Sequence, residues 1–188
     1  MCNEISQRTS WKLYREWMLG QRHPLLNDDE PELPSGTRKL TEAAAVISAG
    51  PGGSMLQLLP WGWPAPGRRP VFWVQAEKRK DPPDLRAIVP FDTFFEYRAI
   101  PGAPKSAKKE KFEFSPAINE PMAMGAILKG DAWALMTAPP GPEVGAVHDR
   151  QPTLIRLSDW RRFLTDPAWP EELVQPSPAG TLKVMQLR

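Results

Sequence analysis

Proline governs what this chain can fold into: 23 of the 188 residues are proline and another 13 are glycine. Proline has no backbone N–H and its ring clashes inside a helix, while glycine gives up the most backbone entropy on ordering. Short strands and turns are therefore expected to dominate. Between the breakers the apolar runs predict strands at 44–48, 55–59, 71–75, 86–89, 93–97, 112–114, 122–128, 132–137 and 153–156, with the tail TLKVMQLR as a closing strand. Only two helices are signalled. Thr9 or Ser10 caps the first, whose apolar side carries Trp11, Tyr14, Trp17 and Met18; it ends near Gly20 and is stopped by Pro24. Ser158 caps the second, with Asp159 in its first turn, Trp160, Phe163 and Leu164 on its apolar side and Pro167 at its end. The acidic stretch at 27–36 reads as a surface loop. The expected fold is α+β: a single β-rich domain over 1–188 with a strongly curved, barrel-like sheet and a few flanking helices.

Composition removes several function classes. Hydrophobic residues at 41% and charged residues at 24% are those of a folded chain, and 24 Lys and Arg against 22 Asp and Glu leave a net charge of only +2. Nucleic-acid binding would then rest on a local basic groove. The chain has no apolar run of membrane-spanning length, and MCNEISQRTS lacks a secretory pattern, so a cytoplasmic protein without a membrane partner is expected. One cysteine and two histidines, His23 and His148, argue against a structural metal, and no cofactor is expected.

Three residues carry chemistry. Cys2 matters for its position, because removal of Met1 before so small a side chain would leave a free 1,2-aminothiol. An α-amine with a pKa of about 7.7–8.0 is substantially neutral at physiological pH and condenses with an aldehyde to an imine, which the adjacent thiol closes to a thiazolidine. The alternative is an ordinary near-terminal thiol. Glu96 lies in the aromatic run FDTFFEYR, where partial desolvation would raise its pKa as a general acid requires; alternatively it pairs with an arginine on its strand face. His148, in VGAVHDRQP, is placed to protonate a leaving group near neutral pH, or else is a turn residue in a loop stapled by Asp149 and Arg150. Trp61 and Trp63 offer a face for an unpaired base, with core packing as the alternative. Lys105, Lys108, Lys109 and Lys111 form a basic loop, either a solvated hairpin tip or a phosphate contact.

Cys2, Trp61, Trp63, Glu96 and His148 fall in four ordered segments across nearly the whole chain: MCNE, WGWPAP with VQAEKR, FDTFFEY, and LMTAPPGPEVGAVHDRQPTLI. Together they resemble the motifs of the SOS response-associated peptidase family, also called the abasic site processing family. The resemblance implies a sensor that covalently captures abasic sites in single-stranded DNA. Cys2 would form the thiazolidine, Glu96 would shuttle protons, and His148 would assist sugar opening and strand-cleaving lyase chemistry. Self-removal of Met1 would again use Cys2 and Glu96. Gln75, Glu77, Thr137 and Arg150 are the implied substrate-binding residues, joined by Trp61 and Trp63, and Arg68, Arg69, Lys78 and Arg79 the implied contacts to the DNA backbone. A monomer is expected, in the cytoplasm and on the nucleoid after DNA damage.

The chain departs from the family most seriously at one place. Where an Asn-Ala-Arg sequence is usual it has Gln75-Ala76-Glu77, a lengthened amide and a reversed charge, and Glu77 is expected to repel phosphate. Asn3 and Glu4 likewise replace Gly-Arg. A relative that binds single-stranded DNA without efficient cross-linking therefore stays open. So do an N-terminal-cysteine amidohydrolase and a non-catalytic nucleic-acid-binding module.

Overall fold

The computed structural model describes residues 2–27, 32, 35–104 and 106–187, so most of the acidic loop at 27–36, together with Lys105, lies outside the described residues. In chain order the elements are β1 (Glu4–Gln7), α1 (Trp11–Gly20), β2 (Gly36–Lys39), β3 (Ala43–Gly50), β4 (Gly53–Pro60), β5 (Trp73–Gln75), β6 (Arg86–Phe91), β7 (Thr93–Arg98), β8 (Glu110–Pro116), β9 (Met122–Lys129), β10 (Ala132–Ala138), α2 (Pro142–Gly145), β11 (Gln151–Pro152), β12 (Leu154–Arg156), α3 (Trp160–Thr165) and β13 (Leu182–Gln186). The strands form two sheets. One has the order β13-β8-β7-β1-β2; the other runs β11-β10-β9-β6-β3-β4, with β12 added on β9 and β5 on β10.

Neither strand order returns on itself, so the expected strongly curved, barrel-like sheet gives way to two open sheets. The reason lies in the side-chain alternation. On β3, Ala44 and Val46 belong to one apolar cluster and Ala45 and Ile47 to another, and on β10 Trp133 and Leu135 part in the same way from Ala134 and Met136. A sheet apolar on both faces needs a cover on each. The first cluster joins it to Ile5, Phe94, Phe112 and Phe114 of the five-stranded sheet, and the second to α1 and α3 through Tyr14, Met18, Trp160 and Phe163.

Stacked rings mark the layer between the sheets, Trp61 on Trp133 at 4.8 Å and Phe94 on Phe114 at 4.9 Å between centroids. An indole buried whole withdraws about 150–250 Å² from water, or roughly 4–6 kcal/mol of gross burial energy. The helices follow their apolar periodicity, with caps that differ from expectation. Ser10 is the N-cap of α1 but makes no side-chain cap hydrogen bond, and Thr9 Oγ1 reaches Asp92 instead. Ser158 lies in the 3-10 turn Leu157–Asp159, which leaves Asp159 at the N-cap of α3. Among the described residues no helix is long and apolar enough to cross a membrane.

Two pairings position the site. Strand β1 lies antiparallel to β7, with Ile5 opposite Phe94 and Ser6 opposite Thr93, and the same register carried toward the amino terminus brings residues 2–3 alongside 96–97. On the other sheet β10 sets Thr137 beside Gln75 of β5 and Pro152 of β11, so that the segment bearing His148 and Arg150 arrives at the same strand end.

Candidate active site

Cys2 stands just before β1 and its side chain is buried, 1% exposed. Its Sγ lies 3.6 Å from the Glu4 carbonyl oxygen, and its own carbonyl accepts a hydrogen bond from Trp73 Nε1 at 2.7 Å. This indole ties the amino-terminal segment of one sheet to β5 of the other. Burial, with the nearby Glu96 charge second, pushes the Cys2 thiol up, so sulfur here is held as S–H. Glu4 anchors the strand that follows: its carboxylate accepts from Tyr97 Oη at 2.5 Å and from Lys111 Nζ at 2.9 Å. Burial works to raise the Glu4 carboxyl, but these two hydrogen bonds outweigh it and hold the group below the usual carboxylate range. Glu4 thus serves as an internal clamp.

Glu96, on β7, is 1% exposed. Burial raises its carboxyl to about 7, and the Asp149 charge works in the same direction. An acid of that strength keeps an appreciable share of both protonation states at neutral pH, which a proton shuttle requires.

His148 follows α2, whose position is set by hydrogen bonds from Gly141 N to Gln151 Oε1 at 2.6 Å and from Arg98 Nη1 to the Ala146 carbonyl oxygen at 3.0 Å. A Cβ at Gly141 would run into the Ser177 carbonyl oxygen, so only glycine fits there. His148 Nδ1 accepts the Arg150 backbone N–H at 3.1 Å and also sits 2.8 Å from Asp149 Oδ1. The first contact needs a bare Nδ1 and the second a protonated one. Burial, assisted by the Lys109 charge and opposed by Asp149, lowers the His148 pKa, which favours the neutral ring with its proton on Nε2. Because the Asp149 charge acts on both Glu96 and His148, these two residues and Cys2 belong to one electrostatic neighbourhood.

A cleft of about 640 Å³ opens beside them, lined by Asn3, Trp73, Val74, Gln75, Thr137, His148, Asp149 and Arg150. Gln75 is exposed at its wall. Thr137 Oγ1 donates to the Val74 carbonyl oxygen at 3.2 Å and accepts from Arg150 Nη2 at 3.1 Å. Glu77, expected to repel phosphate as an open charge, instead holds Arg150 in a bidentate pair at 2.6 and 2.9 Å.

Other predicted contacts sit elsewhere. Trp61 and Trp63 are core residues, with their Nε1 atoms donating to the carbonyl oxygens of Phe72 at 3.0 Å and Ile127 at 3.1 Å; enclosed in this way they offer no face to a base. Arg79 is engaged by Asp81 and lies over the Trp63 ring. Arg68, Arg69 and Lys78 are exposed and are not among the cleft-lining residues. Of the basic loop, Lys111 is committed to Glu4, whereas the Lys109 charge acts on His148. Trp73 lines the cleft without standing out in any sequence motif. Its signal is alternation, since residues two apart on a strand share a face and Trp73 precedes Gln75 by two. Among the described residues no group of three or more His, Cys, Asp or Glu is arranged to hold a metal ion.

A family model described as SOS response associated peptidase (SRAP) matches residues 73–188, a segment that contains Gln75, Glu96, Thr137, His148 and Arg150 but not Cys2. No curated protein matches the chain. Among solved structures it is similar to a protein from Bacteroides thetaiotaomicron, with TM-score 0.74 and 14% identity over 100% of this chain and 92% of that one. It is also similar to a phage-related protein from Bordetella bronchiseptica, with TM-score 0.72 and 18% identity over 100% of this chain and 94% of the other. A further Bordetella bronchiseptica protein gives TM-score 0.70 and 16% identity over 100% of both chains. At these identities the likeness is one of fold. The family description ties its members to the SOS response, hence to DNA damage, and to peptidase-like chemistry. With the matched segment covering most of the chain and most of the cleft's polar wall, the chain belongs to the SOS response associated peptidase family.

Proposed function

We propose that this protein, once Met1 is removed, captures the ring-opened aldehyde of an abasic site in single-stranded DNA as a thiazolidine on Cys2. The observation that carries the reading is Glu96: a buried carboxyl raised to about 7, close enough to Cys2 for its charge to act on the thiol. The neutral amine of Cys2 adds to the aldehyde carbon, and the carbinolamine loses its hydroxyl as water. Expulsion of hydroxyl needs a proton donor, which protonated Glu96 provides. The thiol then adds across the C=N bond, its proton passing to nitrogen, so that the net reaction releases one water. Self-release of Met1 draws on the same cysteine and acid, and His148, kept neutral by burial, serves the sugar-opening and lyase steps.

The test is to incubate the processed protein with a single-stranded oligonucleotide bearing one abasic site, followed by a denaturing gel and intact mass. A covalent band at the summed mass less one water is expected, and Cys2→Ala should abolish it. A band that survives in Cys2→Ala, or the absence of a band with the processed wild-type protein, refutes the reading. The Glu77 to Arg150 pair favours a second reading, a relative that holds the strand weakly and captures slowly or not at all. It would give only a salt-sensitive mobility shift.

A further inference from the structure

We propose that Glu77 gates the cleft: its carboxylate stands in for a nucleic-acid phosphate on Arg150, and a phosphodiester strand must displace it to enter. The inference rests on the DNA-capture reading above and adds to it a residue that decides which ligands are admitted.

Both terminal nitrogens of Arg150 are already engaged. Nη1 donates to Glu77 Oε1 at 2.6 Å, and Nη2 donates to Glu77 Oε2 at 2.9 Å, the Thr137 carbonyl oxygen at 2.6 Å and Thr137 Oγ1 at 3.1 Å; Nε is buried. The guanidinium fork presents to the cleft the geometry that suits either a carboxylate or a phosphate, and the carboxylate already in place comes from the protein itself. The two partners are held very differently. The Arg150 side chain is 16% exposed and fastened by Thr137 of β10, whereas the Glu77 side chain is 43% exposed on the short 3-10 turn Ala76–Lys78. Glu77 is therefore the half of the pair that can swing into water while Arg150 stays, and exposed Lys78 beside it remains as a positive neighbour for the incoming strand.

Two consequences are measurable. A carboxylate tethered two residues from Gln75 in the cleft wall competes at high effective concentration, so removing its charge should tighten strand binding. In addition, Arg150 is already neutralised in the resting protein, so it contributes little to counterion release until Glu77 is gone. Freeing it should steepen the salt dependence by about 0.7 in log K against log salt, the increment for one phosphate of a single strand.

The experiment measures binding of an intact single-stranded oligodeoxynucleotide, without an abasic site, by fluorescence anisotropy over a series of salt concentrations. The proteins are wild type, Glu77→Gln, Arg150→Gln and the double variant, each first shown to melt as a folded protein. Glu77→Gln should bind about tenfold more tightly than wild type with the steeper slope. Most of that gain should vanish when Arg150 is Gln, since the double variant retains only the general effect of one fewer negative charge. An equal gain in both Arg150 backgrounds, or none in either, overturns the gate. The abasic-site adduct assay, run in parallel, separates the two proposals: a wild-type adduct without a Glu77 effect sinks the gate alone, and no binding with no adduct sinks both.

Discussion

Two places beside the cleft, a buried inner end at Cys2 and Glu96 and an exposed outer end at the Glu77 to Arg150 pair, use opposite electrostatic strategies. At the inner end Glu96 is nearly dry, and burial moves its carboxyl into the physiological range. At the outer end hydrogen bonds from Arg150 hold the Glu77 carboxyl below its ordinary value, so it stays ionised throughout that range. Two glutamates of the same intrinsic acidity are thereby given different work. In the proposed function the dry one exchanges protons, while the wet one holds a fixed charge against a cation. On that reading desolvation tunes a reaction step and exchangeable ion pairing tunes admission.

The comparison breaks most visibly at Glu96. Glu96→Gln keeps the shape and removes the acid, and adduct formation should slow by about 10²–10³-fold, the usual contribution of a positioned general acid. The pH profile gives the sign. Attack needs the amine neutral, so the rate rises as pH climbs toward its pKa of about 7.7–8.0. Water expulsion needs Glu96 protonated, so the rate falls as pH passes about 7. The product is a bell, and Glu96→Gln should lose the falling limb while keeping the rising one. A bell with both limbs intact in the variant would assign the acid to another group. The change at Glu77 acts on admission and should leave the position of the bell unmoved.

A smaller effect is expected at Trp73, which bridges the two ends by lining the cleft while holding the Cys2 carbonyl. Trp73→Phe keeps an aromatic wall and deletes the donor. Adduct formation should slow about tenfold, the worth of one buried hydrogen bond, with no change in the pH profile. A shifted profile would mean that the indole tunes the acid and does not merely position the cysteine.

The proximity of the three candidate residues is not written in local sequence, but their types single them out as candidates. A cysteine at position 2, a glutamate amid phenylalanines and a histidine beside an aspartate are residue types suited to a reaction role. All strands of the eight-stranded sheet except the two-residue β11 are legible for a similar reason, their apolar runs being bounded by proline and glycine. Strands β1 and β2 are not, since EISQ and GTRK carry too few apolar residues to register as strands. They are ordered by pairing with each other and with β7, a long-range fact without local signature. The barrel expectation failed on the same ground. Alternation along one strand reveals two apolar faces but not whether a second sheet or the sheet's own closure covers them. Glu77 was read as a repulsive charge because its partner lies 73 residues away in sequence. Aromatic type is shared by Trp61, in the core, and Trp73, at the cleft, and only tertiary packing separates them.

The claim on which the account turns is that Glu96 is a weak acid beside Cys2. It is tested most directly by titrating the folded protein with carbon-13-labelled glutamate carboxyls in the NMR spectrometer and assigning the Glu96 signal by its loss in Glu96→Gln. A midpoint near 7 is the result this account predicts. A midpoint near 4.5, the ordinary value for a solvated glutamate, would contradict it and leave the inner end of the cleft without its proton donor.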